Sequence, residues 1–166
     1  MTLLWHYTTG EKFIAIVQDG LIKPTASRID PRERPAVWFS TNQWWEPTAS
    51  KTLQSGGKLR ALNMSETAAY GKGLVRFGVA AETAPVSWRQ FRMLSGVSPE
   101  TYRNLVRAGK KHGADPHQWY ASFEPVSKDK WLAVEVFHDG RWMSVDNAIA
   151  VQQAADGTRP EGQAAM

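Results

Sequence analysis

Apolar and polar positions at the start of the chain change from a strand pattern to a helix pattern. The short apolar run Leu3-Leu4-Trp5 predicts a buried strand. Phe13, Ile14, Val17 and Leu21 then recur at helical spacing. The pattern therefore predicts a strand over residues 3–7 followed directly by a helix over residues 9–19.

The junction between these two elements contains a histidine and a tyrosine. Thr8 and Glu11 have the spacing of a capping box, with Thr8 as the N-cap, and Gly20 suits the position just after the helix. His6 and Tyr7 then lie at the end of a strand and just before a helix N-terminus. We expect ligands there, because free backbone N–H groups and the helix dipole favour anions.

The remaining pattern predicts more strands than helices. Apolar, β-rich runs predict strands at residues 36–41, 74–79, 119–126, 131–137 and 141–145, and Ser87 and Ser98 are typical N-caps of two further helices. Residues 42–57 form a long irregular segment that includes Trp44-Trp45-Glu46-Pro47, and a loop of this length is usually functional or mobile. We expect a single α+β domain over residues 1–146, mostly antiparallel, and a disordered tail over residues 147–166, which is rich in Ala, Gln and Gly.

Composition narrows the classes of function. The chain of 166 residues is 42% hydrophobic and carries a net charge of +4, which permits an anionic ligand without requiring one. It contains no cysteine, and this excludes disulfides, thiolate zinc sites and a cysteine nucleophile. No apolar run is long enough for a membrane span and no signal-peptide pattern is present, so we expect a cytoplasmic protein.

Two groups of residues are candidates for binding a ligand. The sequence has no second histidine at metal-ligand spacing from His6, so a metal site is not expected. His6 is either a ligand contact or a partly buried histidine whose hydrogen bond is made within the protein. The strand Trp38-Phe39-Ser40-Thr41 is either a core strand with a polar end or an aromatic floor whose hydroxyls bind a flat heterocycle and a ribose.

Two glutamates in the late strands are candidates for a reactive carboxylate. Glu124 and Glu135 each lie among apolar neighbours, where a charged residue faces either solvent or a site. Glu124 precedes Pro125, where the strand must end or kink, and strand ends are common positions for reactive carboxylates. Alternation places Glu135 on the face of Trp131, Ala133 and Phe137, and it could instead point outward from an edge strand.

These residues together resemble a known family. His6-Tyr7-Thr8 in the first strand, Trp38-Phe39-Ser40-Thr41 in another and a late glutamate are similar to the ADP-ribosyltransferase superfamily, in particular its histidine-bearing branch of diphtheria toxin, poly(ADP-ribose) polymerases and tRNA 2′-phosphotransferases. The opening followed by Gly20-Leu21-Ile22-Lys23-Pro24 is also similar to small bacterial and phage members. The resemblance covers residues 3–137. It implies two packed, mostly antiparallel sheets with flanking helices, and a cleft between the sheets that binds NAD as a substrate without a metal.

The resemblance also implies roles for individual residues. His6, within the His6-Tyr7-Thr8 motif, would hydrogen-bond the ribose on the adenosine side. Tyr7, Trp38 or Phe39 would stack on the nicotinamide, with Ser40 supporting the site from below. Glu124 or Glu135 would bind the 2′-hydroxyl of the nicotinamide ribose and stabilise the oxocarbenium-like cation that develops when the glycosidic bond breaks.

Three functions follow from this interpretation. The first is transfer of ADP-ribose from NAD to a protein or nucleic acid, as in a bacterial or phage toxin or effector. The second keeps the fold and changes the reaction, to RNA 2′-phosphate removal or NAD hydrolysis. The third is a non-enzymatic module that holds single-stranded nucleic acid or a partner protein through the loop around Trp44 and Trp45.

Overall fold

The computed structural model describes residues 1–25, 30–146 and 149, and most of its strands belong to one antiparallel sheet. The helices are α1 (Gly10–Asp19), α2 (Met64–Tyr70), α3 (Trp88–Leu94) and α4 (Pro99–Lys111). The strands are β1 (Leu4–Thr9), β2 (Leu21–Ile22), β3 (Val37–Ser40), β4 (Thr52–Ser55), β5 (Lys58–Ala61), β6 (Leu74–Val79), β7 (Val86–Ser87), β8 (Trp119–Ser122), β9 (Val126–Ser127), β10 (Ala133–His138) and β11 (Arg141–Ser144). The α+β class and the mostly antiparallel sheet are confirmed. The predicted tail at residues 147–166 lies, apart from residue 149, outside the described residues.

The main sheet has seven strands in the order β11-β10-β6-β1-β3-β8-β7. Strand β1 pairs with β6 along its whole length, but it pairs with β3 only at Trp5 and Ser40. The sheet therefore consists of a four-stranded part and a three-stranded part that meet at one residue pair. Two further sheets, β2–β9 and β4–β5, have two strands each.

The alternation of β1 divides its side chains between two packed faces. Leu4 joins a core cluster with Phe77 of β6, and Phe13 of α1 packs against the same cluster. Trp5 and Tyr7 join a second cluster on the opposite face. Both faces of β1 are buried, as the apolar start of the sequence indicated, and the buried set includes the polar Thr8 and Thr9.

The segment at residues 42–57 and its continuation are more ordered than predicted. A 3₁₀ turn at Pro47–Ala49 leads into the β4–β5 hairpin, and helix α2 follows. The hairpin turns at Gly56 and Gly57, both with positive φ, and Asn63 with Glu66 forms a capping box for α2. These elements are short and carry little apolar periodicity, which is why the pattern did not predict them.

The predicted strand over residues 119–126 is interrupted. Strand β8 ends at Ser122, and a bend separates it from β9. Pro125 lies in this break, and since proline has no N–H it cannot continue a ladder. Glu124 consequently lies in a bend and not in a strand.

The predicted cap of α1 was placed one residue too early. The N-cap is Thr9 and not Thr8, and its side chain makes no capping hydrogen bond. Gly20 ends the helix in the left-handed conformation, with φ of 65°, as predicted.

Candidate functional site

A cleft of about 1030 Å³ opens where β1 and β3 separate. All six residues predicted to bind a cofactor line it: His6, Tyr7, Thr8, Trp38, Phe39 and Ser40. Residues 45–52, the start of α2 and the second half of α4 supply the other walls. The structure thus brings together the two sequence motifs at the fork of the sheet.

His6 lies at the fork and presents one nitrogen as an acceptor. Its Nδ1 atom is 2.9 Å from the Trp38 carbonyl oxygen, and since that oxygen can only accept, Nδ1 carries the proton. Burial, reinforced by the positive charge of Lys12, lowers the pKa of His6 to about 4 against the opposing bond to Trp38. The imidazole is therefore neutral at pH 7, and Nε2 is an unprotonated acceptor for which the described residues supply no donor.

The three aromatic candidates differ in how much ring they offer to a ligand. Trp38 is 36% exposed and rests with its ring 4.6 Å from that of Phe91. Phe39 is 3% and Tyr7 7% exposed. The Tyr7 hydroxyl donates to the Asn42 carbonyl at 2.5 Å, and burial raises the pKa of this phenol to about 12. Trp38 is thus the aromatic surface available for stacking, whereas Tyr7 holds the loop that follows β3.

A carboxylate forms part of the cleft lining, and it is not one of the two predicted. Glu46 is 6% exposed. Its Oε2 accepts from the Ser40 hydroxyl at 2.8 Å, and its Oε1 accepts from Trp119 Nε1 at 3.1 Å and from the Thr48 hydroxyl at 2.8 Å. No cation pairs with it among the described residues, so its negative charge is fixed by neutral donors.

The sequence contained a usable signal for this residue. Glu46 follows Trp44-Trp45 and precedes Pro47, which is typical of a residue that caps a short helical turn. In the structure it does cap the 3₁₀ turn, through the Thr48 backbone N–H. The family resemblance points to a carboxylate in a late strand, and Glu46 lies well before those strands.

Glu124 is exposed and does not line the cleft. Its backbone N–H donates to the Ser122 hydroxyl at 3.2 Å, and that hydroxyl donates to its carbonyl at 2.8 Å. These bonds fix the backbone of the bend and leave the carboxylate at the surface.

Glu135 lies outside the cleft as well and is bound to an arginine. Arg76 donates to its Oε2 from Nε at 2.7 Å and from a terminal nitrogen at 2.5 Å. The guanidinium lies 3.8 Å from the ring centroid of Trp5 and 4.5 Å from that of Trp142, and it donates to the Gln43 carbonyl at 2.6 Å. Through the bond from Arg76 to Gln43, this pair stabilises the start of the loop that carries Glu46.

The N-terminus of α1 contributes less to the cleft than predicted. The N–H groups of Gly10 and Glu11 donate to the carbonyls of Gly73 and Gly71 at 3.0 and 3.1 Å. A Cβ on Gly10 would lie 2.0 Å from the Lys72 carbonyl oxygen, so only glycine permits this approach. The first two helical donors are therefore used within the chain, which weakens this helix end as an anion site.

Two lysines in the cleft lining can supply positive charge. Lys51 is 3.8 Å from Glu11, whereas Lys12 makes no ion pair within the described residues. Lys12 lines the cleft together with His6, and its positive charge contributes to the lowered pKa of His6. Lys12, which has no such ion pair within the described part of the chain, is consequently the more available of the two lysines for a phosphate bound in the cleft.

Among the described residues no cluster of three or more metal-ligating side chains occurs, and no helix is both long and apolar enough to cross a membrane.

No family model, curated protein or solved structure matches this chain.

Proposed function

We propose that this protein binds NAD in the cleft and transfers its ADP-ribose to a macromolecule, on a sheet divided in the manner of the ADP-ribosyltransferase-like fold. One observation carries the proposal. The neutral His6, with an unused acceptor at the fork of the sheet, shares a cleft with the exposed ring of Trp38 and the fixed carboxylate of Glu46.

The cleft has complementary groups for each part of a dinucleotide. Its volume of about 1030 Å³ is at the upper end of the range for ligand pockets. His6 Nε2 accepts a hydrogen bond from a ribose hydroxyl, and the Trp38 indole stacks on the nicotinamide. Lys12 and Lys51 neutralise the diphosphate.

The reaction needs a fixed negative charge near the nicotinamide ribose. When the bond between nicotinamide and ribose breaks, its electron pair leaves with nicotinamide and the ribose becomes an oxocarbenium-like cation. A nucleophile of the acceptor then forms the new bond to that carbon and loses its proton. Glu46 is suited to stabilise the cation, because its Oε2 accepts only the Ser40 hydroxyl and retains a free lone pair for a ribose hydroxyl.

The sequence-based alternatives for this carboxylate remain predictions. Glu124 and Glu135 both lie outside the cleft, and Glu135 is paired with Arg76. Glu124 could reach the ribose only if the bend after β8 rearranged, and Glu135 only if its pair with Arg76 broke. Glu46 already lines the cleft.

NAD binding measured by titration calorimetry tests the cleft directly. We expect wild type to bind NAD and His6→Ala to bind about tenfold more weakly, since the lost hydrogen bond leaves a ribose hydroxyl unpaired. His117→Ala is the matched control, because His117 is exposed and does not line the cleft. Absence of NAD binding at millimolar concentration, or equal losses in both variants, would contradict the proposal.

Product analysis separates the related reactions. Mass spectrometry of reactions with NAD locates ADP-ribose on a macromolecule for the proposed transferase. Free ADP-ribose as the sole product would indicate NAD hydrolysis. ADP-ribose joined to the phosphate removed from a 2′-phosphorylated RNA would indicate the phosphotransferase reaction.

A non-catalytic binding module is the second candidate, and one observation favours it. Both glutamates that the family resemblance offered lie outside the cleft, while Trp44 is 54% exposed. This function predicts salt-sensitive ligand binding that survives His6→Ala and Glu46→Gln and is lost in Trp44→Ala, with no release of nicotinamide in any variant.

A further inference from the structure

The positive charge of the chain is concentrated in one segment. Residues 88–112, which contain α3 and α4, hold six Lys and Arg and a single acidic residue, Glu100. The other residues hold fourteen Lys and Arg against fifteen Asp and Glu, so they are almost neutral. The net charge of +4 thus arises from these two helices.

Four of the six cations lie on one face of α4. Arg103, Arg107 and Lys110 are spaced by four and three residues, and Lys111 follows Arg107 by four, which aligns them along the helix. All four are exposed, and they extend over about 12 Å of helix length. The opposite face of α4 carries Leu105, Ala108, Gly109 and His112, which line the cleft.

The structure provides no anionic partner for this face. None of the four side chains forms an ion pair within the described residues; Arg107 donates only to Asn104, at 3.4 Å. Attraction to the helix C-terminus accounts for Lys110 and Lys111 in the last turn, but not for Arg103 and Arg107, because the dipole acts within one turn. Four cations over about two turns, with Glu100 one turn before Arg103 on the same face, gain little for folding and are suited to a polyanion.

We propose that the basic face of α4, defined by Arg103, Arg107, Lys110 and Lys111, binds the phosphate backbone of a nucleic acid. Regularly spaced cations match a polymer with a charge on each nucleotide, and arginine forms paired hydrogen bonds with phosphate oxygens. A membrane surface is less suited, because an interfacial helix inserts an apolar face into the lipid. The more apolar side of α4 faces the cleft and the core cluster that Tyr102 and Val106 pack against.

The two faces of α4 place this surface next to the cleft. A helix is about 10 Å across, so a strand held on the basic face lies within a few nucleotides of the cleft. A nucleic acid held there is placed to accept ADP-ribose, a role that rests on the proposed function above. The binding surface itself rests on charge and exposure alone.

Fluorescence anisotropy with a labelled single-stranded 20-nucleotide DNA and without NAD tests the surface. We compare wild type with R103Q/R107Q/K110Q/K111Q, and with K23Q/K58Q/K128Q/K130Q as a control in which four exposed lysines elsewhere are neutralised. Glutamine retains good helix propensity, and equal thermal midpoints verify that α4 is intact.

Wild type should bind the oligonucleotide, and the basic-face variant should bind at least tenfold more weakly at 50 mM salt. The slope of log K against log salt should become shallower by about 3, as expected for four lost phosphate contacts on a single strand. The control should bind within about threefold of wild type.

Equal weakening of both variants, absence of oligonucleotide binding by wild type, or preferential binding of the basic face to vesicles of anionic phospholipid would overturn the inference. Because the measurement contains no NAD, these results are independent of catalysis. His6→Ala should retain full oligonucleotide binding even if the cleft proves not to bind NAD.

Discussion

The Nδ1 atom of His6 donates to the Trp38 carbonyl across the fork between β1 and β3, at 2.9 Å. The two strands pair only at Trp5 and Ser40, so this side chain bridges them beyond the end of their ladder. The same bond fixes the tautomer and leaves Nε2 as an acceptor in the cleft. A structural hydrogen bond thereby prepares the group that we assign to ligand binding.

The lowered pKa of His6 predicts an acid-dependent loss of stability. The ordinary pKa is 6.5 and burial lowers it to about 4 in the folded protein, so between these values the unfolded chain binds more protons. The stability that depends on neutral His6 is fully present above about pH 6.5 and is lost as the pH falls toward 4. The free energy of unfolding should fall by up to about 3 kcal/mol over this range.

Urea unfolding of wild type and His6→Gln at pH 7 and pH 4.5 measures this effect. The free energy of unfolding should fall more steeply with acid in wild type, because glutamine does not titrate. An equal decrease in the free energy of unfolding between pH 7 and pH 4.5 for the two proteins would show that His6 is not held neutral by the fold.

The Arg76–Glu135 pair predicts a structural role for Glu135. Its removal leaves Arg76, only 7% exposed, without its partner, and breaking such a pair costs about 3 kcal/mol. Glu135→Ala should therefore lower the free energy of unfolding by about that amount in chemical denaturation. Glu124→Ala is the control and should change it by less than about 0.5 kcal/mol, since this carboxylate is exposed. Equal stabilities of the two variants would show that the pair does not fasten the loop after β3.

Replacement of Gly109 in α4 by alanine should destabilise the protein, which is the opposite of the usual effect in a helix. In an exposed helix Gly→Ala stabilises by about 1 kcal/mol. Here the added Cβ would lie 2.5 Å from Trp119 Cη2, and Trp119 also donates to Glu46. Gly109→Ala should thus lower the free energy of unfolding by about 1–3 kcal/mol. It should also displace the indole that positions the carboxylate.

Thermal unfolding with tryptophan fluorescence measures this change. Ala108→Gly, one residue earlier on the same helix, should show the ordinary helix penalty of about 1 kcal/mol and an unchanged emission spectrum. Stabilisation by Gly109→Ala would mean that the helix and Trp119 are not in close contact.

The sequence predicted the elements with strong periodicity and the two motifs at the fork. His6 and Trp38 could be associated because each lies in an apolar strand that the pattern identifies, and the antiparallel pairing of β1 with β3 brings them together. Strand periodicity could not place Glu46 in the cleft, because Glu46 belongs to a loop. The path of that loop depends on the Tyr7 and Arg76 hydrogen bonds. Contacts between distant residues, such as Arg76 with Gln43, leave no periodic trace in the sequence.

Release of nicotinamide from NAD, with an oligonucleotide and water both available as acceptors, tests the central claim most directly. Glutamine preserves the size of Glu46 and can still accept from Trp119 and Thr48, so Glu46→Gln removes the charge with little change in the fold. We expect its rate to fall about 100- to 1000-fold, whereas Glu124→Ala retains the wild-type rate. Full activity of Glu46→Gln together with loss of activity in Glu124→Ala, or no nicotinamide release by wild type, would contradict the account.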